Sequence, residues 1–486
     1  MHGTDGSGMA GRESSEPWTW DATEIVAAVT RRDVSCVEVV QSCLDRLDRV
    51  NPAVNAVIAH FPAEAIAAAK LADAAAARGE VLGPLHGVPV TVKDNVDQQA
   101  AATTNGIVAW RALISDEDSP AVAGLRAAGA IVIGRTNTSS MSLRWTSEND
   151  LHGLTLNPWA PDRTAGGSSG GAGVAVATGV GPIAHANDLF GSIRYPAFCS
   201  GVTGLRPSWG VTPFFNGTST AERGLAFQTM AVQGPITRSV RDLAPAMTAM
   251  WGHDPRDPWT VPVPFDASPG MKPAKVALSL DPVGAGVHPA IKDALRRAAV
   301  LLADAGYVVE EIDPPHTLEA AELAEDIITT ETRVLSAAAV EEFADAPMRR
   351  QLELTLARRK PLDLDGYVRA LARRATLRRS WALFSEKYPV LLCPNSAQLP
   401  YRLGEDIASQ AALDRIYLAH ALFFVVPLVG APALALPTGC FDGVPIGIQL
   451  IGRRFGEAAL IQAGEILEAG FGVTTPIDPV DPEKQV

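Results

Sequence analysis

Three separated segments of the chain carry a lysine and serines whose side chains could act together in nucleophilic chemistry. Lys93 lies in the stretch 83–97 (GPLHGVPVTVKDNVD), a glycine- and serine-rich loop spans 166–171 (GGSSGG), and Ser192 follows. A serine hydroxyl is a weak nucleophile that needs a nearby base. A lysine can be that base only when it is neutral, which requires that burial lower its pKa. Because Lys93 follows the apolar run 88–92, we expect a buried, neutral amine there.

In order and spacing, the lysine, the GGSSGG loop and Gly191-Ser-Ile-Arg resemble the amidase signature family, whose members use a Ser–cisSer–Lys triad. The resemblance extends over nearly the whole chain from about residue 20 and is weak through 265–425. It implies that Ser192 is the nucleophile, Lys93 the base and Ser168 the proton shuttle between them. It also implies a cis peptide bond before Ser168 and neither a metal nor a cofactor.

The turn that precedes the nucleophile is expected to bind the developing oxyanion through backbone N–H groups. Spacing assigns this role to four consecutive residues, Leu189, Phe190, Gly191 and Ser192. Three neighbours are expected to support them. Ser169 is predicted to hydrogen-bond either Lys93 or the loop backbone, and Asp188 and Arg194 are predicted to form an ion pair.

Phe190 departs from the family pattern. Members usually read Asp-x-Gly-Gly-Ser-Ile-Arg, often after Gly-Thr, whereas residues 186–192 here read ANDLFGS. A side chain at this position restricts the backbone and places an aromatic surface near the acyl site. We therefore predict a substrate pocket with three aromatic side chains, those of Trp145, Phe190 and Tyr195.

The predicted substrate is a neutral, fairly hydrophobic small-molecule amide or anilide, because no charged residue near the motifs singles out a charged acyl group. Aryl carbamates (urethanes) and esters are alternatives, since attack on their carbonyl is the same chemistry. A further alternative is the amidase subunit of a tRNA-dependent amidotransferase, which works only with partner subunits. Phe190 and the acidic net charge disfavour this alternative, and the sequence leaves a homodimer open.

Two other motif interpretations of the glycine-rich loop are weaker. Residues 166–170 fit G-x-S-x-G, but a nucleophile elbow needs an apolar strand directly before it and a late catalytic histidine. Here the preceding residues 157–164 (NPWAPDRT) are typical of a loop. A phosphate-binding loop is disfavoured because no Gly-Lys-Ser/Thr follows.

Composition and charge narrow the function classes. With 486 residues, 47% hydrophobic and 20% charged, the chain is typical of a globular protein with a large core. Its net charge of −13 disfavours nucleic acid and anionic membranes as partners. An arginine-rich stretch, 349–379, is interpreted as a solvated helix surface. The apolar stretch 421–436 contains prolines and is too short to span a membrane, so buried core strands are predicted.

The cysteines and the first residues bear on the compartment. Five scattered cysteines without a C-x-x-C pair are typical of a reducing cytoplasm with buried free thiols. Residues 1–17 contain no apolar signal-peptide core and are predicted to form a disordered tail. A cytoplasmic location is therefore predicted.

Alternating strand and helix patterns must bring the three segments together. Strands are predicted at 88–92, 130–134, 183–186, 388–393, 433–436 and 445–451, with a β-α-β unit at 275–312. Helices are predicted from Asp21 and Ser35, at 62–78, 119–129 and 174–178, from Pro235, through 317–388 and at 457–468. This pattern predicts an α/β class with one amidase-signature α/β/α domain over 18–486, built on a large mixed, mostly parallel sheet covered by helices. Residues 265–425 form its peripheral, helical part.

Overall fold

Eleven strands of one mixed sheet organise the computed structural model, which describes residues 16–219, 221–266 and 275–480. Together with a separate two-stranded pair (β4 and β5), the strands in chain order are β1 (Val57–His60), β2 (Pro89–Lys93), β3 (Ile131–Thr136), β4 (Glu148–Asn149), β5 (Gly153–Leu154), β6 (Ile183–Asp188), β7 (Thr203–Arg206), β8 (Val232–Thr237), β9 (Lys275–Leu278), β10 (Val308–Glu311), β11 (Val390–Pro394), β12 (Ala433–Phe441) and β13 (Val444–Gly452).

The order across the sheet is β1-β3-β2-β6-β8-β7-β12-β13-β11-β9-β10. The predicted α/β class with a large mixed sheet is confirmed, but the proportion of parallel pairing is lower than predicted. Neighbours are parallel only in β3-β2-β6 and β11-β9-β10, and the other six pairs are antiparallel. The reason is that hairpin-like connections, such as the one between β12 and β13, replace helical crossovers in the middle of the sheet.

Helices cover the sheet. In the described residues they are α1 (Ala22–Arg31), α2 (Cys36–Val54), α3 (Pro62–Ala77), α4 (Pro120–Ala127), α5 (Gly170–Ala177), α6 (Arg194–Ser200), α7 (Leu225–Met230), α8 (Leu243–Met250), α9 (Pro289–Asp304), α10 (Thr317–Glu331), α11 (Ala337–Phe343), α12 (Ala346–Arg358), α13 (Leu364–Lys387), α14 (Glu405–Ala408), α15 (Gln410–Ala419), α16 (Ala421–Val429) and α17 (Glu457–Phe471). A π-helical turn, Thr332–Ser336, joins α10 to α11.

The helix starts predicted at Asp21 and Ser35 are confirmed by α1 and α2, and each helix begins with a capping box. The side chain of Asp21 accepts a hydrogen bond from the backbone N–H of Glu24, and that of Ser35 accepts one from the backbone N–H of Glu38. In turn, each glutamate side chain accepts a hydrogen bond from the backbone N–H of the capping residue. One large hydrophobic core then packs around β9, β11, β12 and β13, and a second around β2 and β3 with α1, α2 and α4.

Two element assignments were wrong. The helix predicted from Pro235 begins later, because residues up to Thr237 pair within β8 and helical structure starts at Val240. The stretch 421–436 is not a pair of strands, since its first nine residues form the fully buried helix α16. An apolar run without periodicity does not distinguish a buried helix from a buried strand.

No single helix of the described residues is long and apolar enough to cross a membrane, although the bent pair α15 and α16 together has the required length and composition.

The arginine-rich stretch is only partly solvated, because Arg374 is buried and donates to the Leu428 carbonyl and to Thr229. Four of the five cysteines are buried free thiols, as predicted, while Cys440 is exposed. Of the predicted tail, residues 1–15 lie outside the described residues, so its boundary stays a prediction.

Candidate active site

Strand geometry explains how Lys93 meets the segment 187–192. Lys93 is the last residue of β2, whose five residues are all buried, and β2 runs parallel to β6. The carboxyl ends of parallel strands meet at one edge of a sheet. The end of β6 at Asp188, and the turn that leads to Ser192 and α6, therefore lie beside the Lys93 side chain.

The glycine-rich loop is held by close backbone contacts. A Cβ atom on Gly167 would lie 2.5 Å from the Arg144 carbonyl oxygen, and one on Gly166 would lie 2.7 Å from the Cα of Pro196. Gly166 also has a φ of +79°, which favours glycine. The peptide bond between Gly167 and Ser168 is cis, as the family resemblance implied. The loop thus presents Ser168 to the edge of the sheet where Lys93 lies.

Lys93 has two polar contacts. Its Nζ lies 2.7 Å from Ser168 Oγ and 2.8 Å from the Oδ1 of Asn187, and the whole residue is inaccessible to solvent. Burial lowers the pKa of Lys93 well below its ordinary value, as expected for a lysine without a contacting carboxylate. Asn187 was missed by the sequence analysis. Its position could have revealed it, because Asn187 directly precedes Asp188 and many members of the family have threonine in place of this asparagine.

The turn that is predicted to bind the oxyanion is held by Asp188. Its carboxylate accepts the amide of Gly191 at 2.9 Å and that of Ile193 at 3.2 Å, and it forms an ion pair with Arg194 at 3.0 Å. Although burial opposes ionisation, the guanidinium groups of Arg194 and Arg206 lower the pKa of Asp188 to about 2. The carboxylate is therefore ionised and holds the turn in place.

The four amides predicted for the oxyanion divide into two groups. The backbone N–H of Gly191 donates to the Asp188 carboxylate, whereas the backbone N–H groups of Leu189, Phe190 and Ser192 have no acceptor within the described part of the chain. Those three remain available to a ligand. Gly191 is needed there because its φ is +94° and a Cβ would lie 2.6 Å from the ring of Phe423.

Ser192 and Ser168 line one cavity, although no hydrogen bond joins their hydroxyl groups in the described structure. Ser192 is partly exposed and Ser168 is buried. Ser169 donates to the Asn187 carbonyl oxygen at 3.4 Å, so of its two predicted partners it contacts the backbone and not Lys93.

Of the three aromatic residues predicted for the substrate pocket, Trp145 and Phe190 line the cavity and Tyr195 lies in the core behind it. The cavity, of about 660 Å³, is lined by Trp145, Phe190 and Phe424, and the indole of Trp145 donates to the Phe190 carbonyl oxygen at 2.8 Å. The rings of Phe190 and Phe424 are 4.7 Å apart. Tyr195 does not line the cavity, contrary to the prediction, because it is fully buried beside the His420 ring. As a residue of α6, its side chain points into the core behind the turn.

Several cavity residues were not found from the sequence, and all of them except Asn95, which lies two positions after Lys93, come from segments outside the motifs. They include the aromatic residues Trp110, Phe214 and Phe227, the polar residues Asn95, Asn105 and Asn216, and the charged residues Glu222, Arg223, Glu325 and Glu331. Arg223 packs its guanidinium on the ring of Phe227 at 4.2 Å. Among the described residues, no group of three or more His, Cys, Asp or Glu side chains is placed to hold a metal ion.

Comparison with known proteins gives the same assignment over most of the chain. Residues 38–461 match the Amidase family model. The chain is 42% identical over 457 residues to an indoleacetamide hydrolase of Bradyrhizobium diazoefficiens, covering 94% of this chain and 87% of the relative. It is 34% identical over 476 residues to one subunit of the glutamyl-tRNA(Gln) amidotransferase of Moorella thermoacetica, covering 92% of this chain and 96% of the relative.

The solved structure of a bacterial aryl acylamidase of the amidase signature family superposes with a TM-score of 0.81 at 28% identity, covering 93% of this chain and 96% of that one. The sequence matches include the segments that carry Lys93, Ser168 and Ser192. The chain therefore belongs to the amidase signature family and is a hydrolase that acts on amides.

Proposed function

We propose that this enzyme cleaves the C–N bond of a neutral, largely apolar amide or anilide through an acyl-enzyme on Ser192. The observation that carries the proposal is the 2.7 Å contact between the buried Lys93 amine and Ser168 Oγ, at a cavity that Ser168 shares with Ser192. Nucleophilic catalysis by a serine requires a nearby base, and this contact supplies one without a histidine.

In the proposed first step, Ser192 Oγ attacks the carbonyl carbon and gives its proton to Ser168, which passes its own proton to neutral Lys93. The free amides of Leu189, Phe190 and Ser192 stabilise the oxyanion. The C–N bond then breaks, and the proton returns from Lys93 through Ser168 to the leaving nitrogen. A water molecule, deprotonated along the same path, then attacks the acyl carbon. The bond from this carbon to Ser192 Oγ breaks, the proton returns from Lys93 through Ser168 to Ser192, and the acid is released.

The cavity wall supports the proposed substrate class. Phe190 and Phe424 present aromatic surface beside Ser192, and a volume of about 660 Å³ lies in the range of about 300–1,000 Å³ that holds small ligands. The names of two similar proteins, indoleacetamide hydrolase and aryl acylamidase, both describe amides that carry an aromatic group. These observations support an arylacetamide or an anilide as the substrate.

Two alternatives from the same family are open to a direct test. An aryl carbamate or ester would react at the same serine, and similarity to a glutamyl-tRNA(Gln) amidotransferase component keeps that role as a second alternative. Purified enzyme should be given an arylacetamide, a nitroanilide, a nitrophenyl carbamate and a small aliphatic amide. We expect kcat/KM to be highest for one of the first two. A higher value for the carbamate would support a urethanase, and turnover only after partner subunits are added would support the amidotransferase.

A further inference from the structure

We infer that Asn187 and Asn95 act as an amide pair that positions Lys93, holding the lone pair of its amine toward Ser168 without supplying a charge that would keep it protonated. The inference rests on the proposed function, because it assigns Lys93 the role of base. Its starting point is the 2.8 Å contact between Lys93 Nζ and Asn187 Oδ1, at a position where the family pattern often has threonine.

A directional chain of hydrogen bonds fixes the amide of Asn187. Its Nδ2 donates to Asn95 Oδ1 at 2.7 Å, and the Nδ2 of Asn95 donates back to Asn187 Oδ1 at 3.3 Å and to Ser142 Oγ at 2.9 Å. Ser142 can accept because its own hydroxyl proton is donated to Asn105 Oδ1 at 2.6 Å. These contacts orient the amide of Asn187 so that its carbonyl end faces Lys93.

The backbone around Ser142 supports this chain. Met141 and Ser142 have φ values of 55° and 59°, in the left-handed region that residues other than glycine rarely adopt. Such residues cluster at functional sites, where the surrounding structure holds them. In this conformation the Ser142 hydroxyl is within 2.9 Å of both Asn95 Nδ2 and Thr138 Oγ1.

Counting donors shows which form of Lys93 the site accepts. An ammonium group has three N–H donors, but only Ser168 Oγ and Asn187 Oδ1 contact Nζ within the described ranges. A neutral amine has two N–H groups and one lone pair. When Asn187 Oδ1 accepts one N–H, the lone pair can accept the Ser168 proton. A neutral amide thus orients the base, whereas a carboxylate there would stabilise the ammonium form.

None of the charged and titratable groups around Lys93 orients its amine, so Asn187 is the residue that does so. Asp188 favours the ammonium form but is committed to Arg194 and to backbone amides, and Arg223 disfavours it. Burial lowers the pKa of His185, on the same strand as Asn187, to about 3, so it is neutral. Asp94, which follows Lys93, contacts Arg135 at 3.4 Å. None of these groups contacts Nζ directly.

The test is the pH dependence of Ser192 labelling by a fluorophosphonate, a probe that requires no knowledge of the substrate. The Ser192 oxygen attacks phosphorus, fluoride leaves, and the hydroxyl proton passes through Ser168 to Lys93. In Asn187→Asp, a carboxylate replaces the neutral acceptor, and the midpoint of the acid limb should rise by about 1 to 3 pH units. Asn51→Asp is the matched control, because it adds the same charge on α2 without contacting Lys93, and its midpoint should equal that of the wild type.

A second variant keeps the inference testable if Asn187→Asp does not fold. Asn187→Leu removes the acceptor without adding charge, so labelling should slow by about 10- to 100-fold while the midpoint does not rise. A wild-type enzyme that is not labelled at Ser192 would overturn the proposed function and this inference with it. Normal wild-type labelling, with an unshifted acid limb in Asn187→Asp or an unslowed rate in Asn187→Leu, would overturn the inference alone.

Discussion

Residues 83–210 and residues 317–388 both line the cavity, but they are built in different ways. In the first region, called here the catalytic region, glycines allow backbones to touch. A Cβ on Gly83 would lie 2.2 Å from the Ala128 carbonyl oxygen, and one on Gly171 would lie 2.4 Å from the Asn137 amide nitrogen. The second, called here the helical region, contains α10 to α13 and a single glycine, Gly366, whose added Cβ would meet a side-chain oxygen at 3.1 Å.

The contrast explains why the family resemblance is strong in one region and weak in the other. Where backbone meets backbone, no side chain can yield, so the residue type is fixed and the motif is readable. Helices pack through side chains, and cores tolerate exchange of apolar residues of similar volume. The helical region therefore contributes cavity residues such as Met348 and Leu352 without a recognisable motif.

The largest effect is expected in the catalytic region, at Ser192. Ser192→Ala should reduce kcat by about 10⁴-fold or more, because only this oxygen becomes acylated. Because the residue is partly exposed to the cavity, the thermal unfolding midpoint should change little. Fluorophosphonate labelling followed by peptide mapping measures the role directly. Labelling at Ser168, with Ser192→Ala still active, would reverse the two serine assignments.

Lys93→Ala should lower kcat/KM by about 10³-fold or more, since the base and the proton path are lost together. In the wild type, Lys93 must be deprotonated to act, and burial lowers its pKa. Activity is therefore expected above the folded-state pKa, far below the ordinary value of 10.5, and to be lost as the pH falls through it. With chemistry rate-limiting, an acid limb of kcat/KM whose midpoint lies near the ordinary lysine value of 10.5 would contradict a base that burial keeps neutral.

Gly171→Ala tests whether backbone contacts define the catalytic region. The new methyl group would meet the Asn137 amide nitrogen and, at 2.5 Å, the Ala56 carbonyl oxygen. Overpacking of this kind costs about 1–3 kcal/mol in the free energy of unfolding. Gly252→Ala is the matched control, because its Cβ would meet nothing within 4 Å. Equal denaturant midpoints for the two variants would remove the physical basis of the comparison.

Phe190→Gly tests whether the Phe190 ring contacts the substrate or only supports the backbone of the turn. If the ring contacts the substrate, this substitution should change the ratio of kcat/KM between an anilide and a small aliphatic amide by about 10-fold or more, because even one methylene group in an apolar pocket contributes about 10-fold. The oxyanion amides should survive, since glycine is the common family residue. A uniform loss on every substrate would instead show that Phe190 supports the backbone, to which Trp145 is hydrogen-bonded.

The smallest effect is expected at Arg223, which lines the cavity without a hydrogen bond or ion pair from its guanidinium to the described residues. Arg223→Gln should leave kcat for a neutral arylacetamide within about threefold, because an exposed charge contributes roughly 1 kcal/mol or less. For an arylacetamide that carries a carboxylate, KM should increase in the variant. If the wild type prefers the carboxylate-bearing substrate, the prediction of a neutral substrate is wrong.

The sequence predicted most of the elements and the three segments of the site because these depend on local patterns. The helix starts at Asp21 and Ser35, the buried strand that ends at Lys93 and the cis bond before Ser168 follow from residues within a few positions of each other or from the family motif. Helix α16 was mistaken for strand, since an apolar run without periodicity is compatible with either.

The sequence by itself therefore predicted the chemistry: a lysine, two serines and a turn for the oxyanion, in segments whose glycines are required by close contacts. Only the tertiary structure decided which distant side chains meet them. Asn187 faces Lys93 because β6 lies beside β2, Tyr195 turns into the core because α6 packs there, and Arg223 enters the cavity from a separate segment. Contacts between residues far apart in the chain leave no spacing to read, because they are set by how the sheet and helices pack.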